Sequence, residues 1–452
     1  MKPYIAFALP AAFALLSGCA TPSLPQLHAA TEQLRSQRSV VPAAASTLAA
    51  ELARPLDAEG AVRVALLNNP AVRATLAQLQ FAQGDLYDAL RPANPALDLA
   101  SLDAAGGVTR LTWSVSQPLL DLLFSGYRRQ HGELAMREAQ QLVADQLLRL
   151  ERDVRQAWLQ HTAAALRLRV AQRAVEAAEL AAELAQGYQA AGNISELQWR
   201  AEQALAGESQ LQLAAREADE LNTRTTLLGL LGLMHDQQGL RFDERLMLPA
   251  AMPAGINELA GQALQQRLDL AAQSAALEIA QRDSRHSSRW RWLPGAELRI
   301  ESERTTGEAT MTGPGATLQL PVPNTGAGRV ARATALVEVR AAELATLQLA
   351  VQNRVTQDGA LLAIASRGFD VHARKLMEVN QRLLELAGEQ HNYMLIGSFE
   401  LLSARRRHIE GHDLWIDAIE SWWRAFNDLS YESGVALPVP AAAAYVSVED
   451  LP

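Results

Sequence analysis

Hydrophobic and polar positions along this chain fall into two kinds of segment, one of period two and one of period three to four. The period-two runs come in two pairs: Pro95 to Leu102 with Arg110 to Gln117, and Gly295 to Glu303 with Ala316 to Val322. In the second run Leu111, Trp113 and Val115 share one face, while Thr112, Ser114 and Ser116 share the other. In the third, Ala296, Leu298 and Ile300 oppose Glu297, Arg299 and Glu301; in the fourth, Leu318, Leu320 and Val322 oppose Thr317 and Gln319. Successive side chains of a strand point to opposite faces, so each run predicts a half-apolar strand. A half-exposed sheet of a soluble domain has this period, and so does a membrane barrel with lipid outside and water within. Arithmetic separates the two. Four strands cannot close a barrel, for which roughly eight is the lower limit. An open sheet in lipid leaves edge groups unsatisfied, each costing several kcal/mol. Membrane strands in this number therefore predict several chains, and three copies supply a closed twelve-stranded barrel.

The longer segments have helical period. From Val143 a seam runs through Leu147, Leu150, Val154, Ala157 and His161 and on to Ala185, alternating steps of four and three residues. That spacing predicts a coiled coil, and the many seam alanines predict close helix approach. At ~1.5 Å per residue, a helix from about 131 to 190 reaches roughly 90 Å, longer than a globular core requires. The whole layout occurs twice. Ala65-Leu66-Leu67-Asn68-Asn69-Pro70 opens an amphipathic helix that leads into the first strand pair, and Ala263-Leu264-Gln265-Gln266-Arg267-Leu268-Asp269 does the same about two hundred residues later. Each strand pair is followed by a bend, Pro118 through Gly126 and Pro321 through Gly328, and then by two long helical stretches around a Gly-containing break. Such duplication has to be recognised before the fold is assigned. The Gly-Pro-Gly and Asn-Thr-Gly-Ala-Gly stretches read as turns at strand ends.

Composition and charge narrow the function. Hydrophobic residues make up 49% but aromatics only 5%, which suits long helices with thin contacts rather than one bulky core. The net charge of −9 is spread over interspersed acids and bases, so no basic stripe predicts nucleic-acid binding. Neither a Gly-x-Ser-x-Gly elbow nor a phosphate-binding Gly-Lys-Ser/Thr loop is present, and the chain is read as a non-enzyme without cofactor or metal. His408 and His412 share a helical face, but Glu410 does not follow the first His directly as a zinc-protease motif requires. At the N-terminus Lys2 precedes a short apolar run, Ile5 to Leu16, too short to span a bilayer. It closes with Leu16-Ser17-Gly18-Cys19, a lipobox holding the chain's one cysteine. Cys19 is therefore the expected lipidation site, and Ala20 in place of Asp points to the outer membrane. The expected organisation is a lipoprotein signal peptide at 1–18, a lipid-anchored arm at 19–55, a first helix and strand-pair repeat at 56–250, a second at 251–434, and a tail at 435–452.

The paired Ala-Leu…Asn-Pro and Ala-Leu…Leu-Asp-Leu helix starts resemble the TolC-like outer-membrane efflux family. Gln117-Pro118-Leu119, matched by Leu320-Pro321-Val322, adds to the likeness, as do the segments Tyr188 to Leu197 and Tyr393 to Leu402. The resemblance covers about 57 to 434, and the lipidated N-terminus is similar to the subgroup typified by OprM and CusC. It implies a mainly α chain with a small β part that trimerises into a twelve-stranded outer-membrane barrel and a periplasmic α-helical barrel. It further implies a passive exit duct, reaching from the outer membrane into the periplasm, that works with a periplasmic adaptor and an inner-membrane transporter. Competing readings are a periplasmic adaptor lipoprotein and a lipid-anchored scaffold. An adaptor carries one hairpin between small β domains, however, whereas two half-repeats here each carry a strand pair.

The resemblance also assigns candidate residues. Gly192, Asn193, Ile194 and Ser195 in the first break, and Ile396, Gly397 and Ser398 in the second, are the expected adaptor-contacting tips. Gly192 and Gly397 are read as permitting tight reversals, and Asn193, Ser195 and Ser398 as helix caps. Glu400, Glu196 and Ser403 are the expected pore constriction, with Glu196 read as the equivalent of Glu400. Arg405, Arg406 and Arg407 are candidate partners of Glu400. Trp290 and Trp292 are expected at a membrane interface, and Trp422 and Trp423 as core anchors.

Overall fold

The computed structural model describes residues 23–39, 47–104, 107–234, 240–249, 252–253, 255–438 and 445–446. Cys19 and the signal segment lie outside them. In chain order the elements are α1 (Leu24–Ser36), α2 (Leu48–Leu52), α3 (Ala58–Asn68), α4 (Pro70–Ala89), β1 (Ala96–Ala104), β2 (Val108–Pro118), α5 (Leu119–Leu123), α6 (Ser125–Ala190) and α7 (Glu196–Leu231). Then follow β3 (Leu246–Met247), α8 (Ile256–Gln266), α9 (Leu268–Arg289), β4 (Ala296–Thr305), β5 (Met311–Leu318), α10 (Ala327–Gly368), a π-helical segment (Phe369–Arg374), α11 (Lys375–Asn392), α12 (Ser398–Glu432) and β6 (Tyr445–Val446). The fold is mainly helical with a small strand part. Among the described residues no helix is long and apolar enough to cross a membrane. Two compact units form, one from residues 1–32, 75–144 and 268–348, the other from 33–74, 145–267 and 349–452.

The first unit holds a four-stranded antiparallel sheet in the order β1-β2-β4-β5, so the two strand pairs join through β2 and β4 and leave β1 and β5 as edges. The fourth strand differs from its expected span. It starts at Met311 and runs through Gly313-Pro314-Gly315, while Leu320 and Val322 lie beyond it. Turn-forming residues sit inside a strand here because β5 is an edge, where a missing N–H need not face a partner. The first bend differs too: after Pro118 comes the short helix α5, and Gly126 lies inside α6. Leu27, Leu86 and Met136 form an apolar cluster in this unit.

In the second unit the leading helices hold the ends of the return helices, and both halves do it the same way. α3 breaks at the extended residue Asn69 before Pro70. Asn68 Nδ2 donates to the carbonyls of Leu231 and Gly232 at 3.0 and 2.8 Å, and Asn69 Nδ2 to that of Leu230 at 2.8 Å. These are carbonyls that α7 leaves without a helical partner at its C-terminus. Gly232, in the left-handed region at φ 69°, caps α7 so close to the break that a Cβ would stand 2.9 Å from Asn69 Cα. In the second half α8 breaks at Arg267, whose Nη1 donates to the Glu432 carbonyl at 3.0 Å, and left-handed Gly434 packs against it. α9 begins at Leu268 without a proline, since Arg267 is already extended at ψ 133°.

Along α6 the expected seam is inward: Val143, Leu147, Val154, Ala157, His161, Ala164, Val175 and Ala185 are buried. Trp422, Trp423 and Phe426 are buried on α12, with Trp422 stacked on Phe426 at 5.2 Å and Trp423 Nε1 donating to the Met247 carbonyl at 2.6 Å. They are core anchors, as expected. α10, the π segment and α11 form one unbroken helical run, and exposed Lys375 follows directly on the π segment.

Candidate functional site

The sheet register sorts its side chains into two unlike faces. Leu97 faces Val115, Leu99 faces Trp113, Val115 faces Ile300 and Ala296 faces Leu318, so one face is apolar across all four strands. These side chains are exposed; Leu99 is 69% and Ile300 55% accessible. Two of the hydroxyls on this face, Ser302 and Thr312, are cross-strand partners and bond to each other at 3.0 Å, whereas Ser101 and Thr109 lie toward the far end of the strands. The opposite face is polar. Ser114 Oγ donates to Asp98 at 3.3 Å, Arg110 pairs with Glu303 at 2.9 Å, and Arg299 with Glu301 at 3.4 Å. A large exposed apolar face of this kind marks an interaction surface. Backed by a polar face, it matches a membrane-barrel wall.

The candidate tips occupy the second unit. In the first, Asn193 N–H donates to the Tyr188 carbonyl at 2.8 Å and Gly192 N–H to that of Gln189 at 2.9 Å, with Gly192 at φ 76°. This is the paired-bond helix stop that favours glycine. Ser195 caps α7: its side chain accepts from Gln198 N–H at 3.2 Å, and Gln198 Oε1 accepts from Ser195 N–H at 3.0 Å. The second tip repeats the stop with different residues. Leu395 N–H donates to the Gln390 carbonyl and Met394 N–H to that of His391, both at 2.9 Å, and Met394 takes the left-handed conformation at φ 58°. Gly397, expected to supply the reversal, is in extended backbone at φ −80°. Ser398 does not cap; it is the first residue of α12, and the cap position is Gly397, which has no side chain to accept a first-turn N–H.

Counting from the caps also moves the carboxylates. Glu196 is the first residue of α7, whereas Glu400 is the third of α12, so the positional counterpart of Glu400 is Gln198. Glu196 pairs with Arg200 at 3.4 Å; among the described residues Glu400 has no ion-pair partner, and Arg405, Arg406 and Arg407 do not reach it. Its carboxylate folds back over Gly397, where a Cβ would lie 2.8 Å from Oε2. Ser403 is half-buried one turn further on. Tyr188 and Phe399 meet edge-on at 5.9 Å, joining the two tips in one cleft with Ile194 and Ile396.

A charge ladder that the sequence reading missed ties α6 and α7 to α12. Arg167 pairs with Asp417 and Glu420 at 2.5 Å each, Arg216 with Asp413 at 2.9 Å, and Arg424 with Glu420. Burial pushes the Asp413 carboxyl up from its ordinary pKa. The signal was available as acids at 413, 417 and 420, spaced four and three on one helical face. His412 is buried and its Nδ1 lies 2.9 Å from the His408 carbonyl, so that nitrogen is engaged by its own helix.

No protein-family model and no curated protein matches the chain. Solved structures do. A membrane protein from Pseudomonas aeruginosa is 19% identical with a TM-score of 0.69, covering 88% of this chain and 98% of that one. The CmeC outer membrane channel of Campylobacter jejuni is 14% identical with a TM-score of 0.68, over 84% and 86%. The outer membrane protein VceC of Vibrio cholerae is 13% identical with a TM-score of 0.67, over 84% and 96%. Strand order, paired hairpins and these superpositions agree: the chain has the TolC-like fold of outer-membrane channels of the OprM and CusC type.

Proposed function

We propose that this protein is the outer-membrane channel of a tripartite efflux system, a homotrimer that closes a twelve-stranded barrel and conducts passively. One observation carries the reading: a four-stranded sheet with an exposed apolar face, a polar face and two open edges. In lipid such a sheet is stable only when its edges are paired, and identical copies have the matching strands. The polar face then lines water. The tips form the periplasmic mouth and meet the adaptor, Cys19 carries the lipid anchor, and the inner-membrane transporter supplies the energy. Three copies of Glu400 around a narrow opening would repel one another and favour cations, as acidic rings do. Glu196, neutralised by Arg200, contributes less to such a ring. Opening is an outward, iris-like displacement of the tips.

The test is assembly with conduction. Purified from outer membranes, the protein is expected to run as a heat-modifiable trimer and to open single channels in planar bilayers. A water-soluble monomer without conductance after removal of the lipid anchor would overturn the proposal.

A further inference from the structure

The end of the sheet nearest the helices carries an arrangement that passive conduction does not use. Arg91 lies between α4 and β1, Arg289 ends α9, Arg291 lies between α9 and β4, and Arg329 is in the first turn of α10. The register places Ala96, Pro118, Ala296 and Leu318 at this one end. Three of the guanidiniums lie over aromatic rings, Arg91 over Tyr87 at 3.2 Å, Arg291 over Trp292 at 4.3 Å and Arg289 near Trp290 at 5.8 Å. Phe124 packs on Trp290 at 4.9 Å and Arg329 Nη2 donates to the Arg291 carbonyl at 3.3 Å, while Arg91 and Tyr87 flank the same end of the sheet on the β1 side. Trp292 is 52% exposed. Among the described residues none of these four arginines has a carboxylate partner, while nearby Asp121 is taken up by Arg128 at 3.9 Å and the Ala93 N–H at 3.1 Å.

We propose that this patch binds the headgroup of an anionic phospholipid in the periplasmic leaflet of the outer membrane. The argument is charge complementarity at a fixed depth. Aromatic rings with polar edges settle at the boundary between headgroups and hydrocarbon, and here they adjoin the exposed apolar sheet face. A guanidinium held over a ring loses little freedom on binding and keeps N–H groups free for a phosphodiester. Zwitterionic phospholipid offers the same phosphate but brings its own ammonium, so it should bind less well. The inference rests on the outer-membrane reading above.

The experiment uses the full-length protein reconstituted in phosphatidylethanolamine vesicles with and without phosphatidylglycerol, then extracted in mild detergent, with retained phospholipid identified by mass spectrometry. Each exposed basic residue near an anionic surface adds severalfold to binding, so Arg289→Gln with Arg291→Gln should cut the phosphatidylglycerol preference by roughly tenfold. Arg304→Gln, an exposed arginine at the far strand end, should leave it intact. Trimer content and conductance are read on the same samples and should not change. Should the double variant fail to assemble, Arg91→Gln alone is expected to lower the preference severalfold. Equal retention of both lipids by the native protein, or a preference that survives the substitutions in assembled trimers, would overturn the lipid site while leaving the channel standing. Native protein that neither trimerises nor conducts would sink the channel reading, and this site with it.

Discussion

An arginine placed on either face of β1 gives a direct measurement of what that face meets. Leu99 and Ala100 are neighbours near the middle of a nine-residue strand, and their side chains point to opposite faces. At about 3.3 Å per residue and a tilt near 40°, this strand rises roughly 23 Å, close to the ~25 Å apolar band of an outer-membrane barrel. In the proposed barrel both positions therefore lie near mid-depth. Leu99→Arg puts a guanidinium beside Trp113 with Leu97 and Val115 alongside, where lipid-facing arginine costs about 2–4 kcal/mol. Summed over three independent copies this is about 6–12 kcal/mol per trimer, comparable to the whole stability of an ordinary domain. Ala100→Arg enters the face that carries Asp98, Glu301 and Glu303 and meets water and carboxylates, so its expected cost is near zero. The assay is the yield of heat-modifiable trimer in outer membranes, with Leu99→Ala as the control for lost side-chain volume. Leu99→Arg should lose most of the trimer and Ala100→Arg almost none. Equal losses, or a larger loss for Ala100→Arg, would refute the assignment of lipid to the Leu99 face.

Three further outcomes follow from packing and charge. Trp422→Ala removes a fully buried ring stacked on Phe426, and thermal unfolding in detergent should register a loss of about 3–5 kcal/mol. Gly232→Ala forces a left-handed alanine against Asn69 Cα and should cost more than the ~1–2 kcal/mol of left-handed backbone alone; Gly107→Ala, also left-handed but with open space around it, should show only the backbone part. Burial and Arg224 push the His161 imidazole down to about 4, and burial pushes the Asp358 carboxyl up to about 6. Between about pH 4 and 6.5 the unfolded chain binds more protons at His161, so that group loses stability on acidification; at Asp358 the folded chain binds more between about 4 and 6, so stability rises on acidification. Relative to the native profile, the melting temperature should thus rise toward acid in His161→Gln and fall in Asp358→Asn; a variant whose profile runs parallel to the native one would contradict the burial argument.

Legibility in the sequence followed the strength of each local signal. Strands with unmixed faces, such as Leu111-Thr112-Trp113-Ser114-Val115, were readable because alternation alone fixes which side is apolar. β5 was displaced because Gly313-Pro314-Gly315 has the composition of a turn, and only the sheet order reveals it as an edge. The Asn68-Asn69-Pro70 motif stood out, yet its purpose, holding the last carbonyls of a helix about 160 residues downstream, is a tertiary fact. The second tip misled for a similar reason. Glycine is the default left-handed residue, so Gly397 drew the assignment, whereas the hydrogen-bonded stop selects Met394 and makes Gly397 the cap. That one shift also separates Glu196 from Glu400. The charge ladder went unread because Arg167 and Glu420 are 253 residues apart.

The sequence contains only two lysines, Lys2 and Lys375. In the proposed lipoprotein, with its leader removed and the new N-terminus acylated, the amine beside the π turn would be the only primary amine left on each copy. Amine-selective reagents would then modify a single defined atom without any engineered cysteine. A fluorophore or spin label there sits where one helical run changes its hydrogen-bond pattern, so its polarisation or inter-copy spacing would report twisting of that arm.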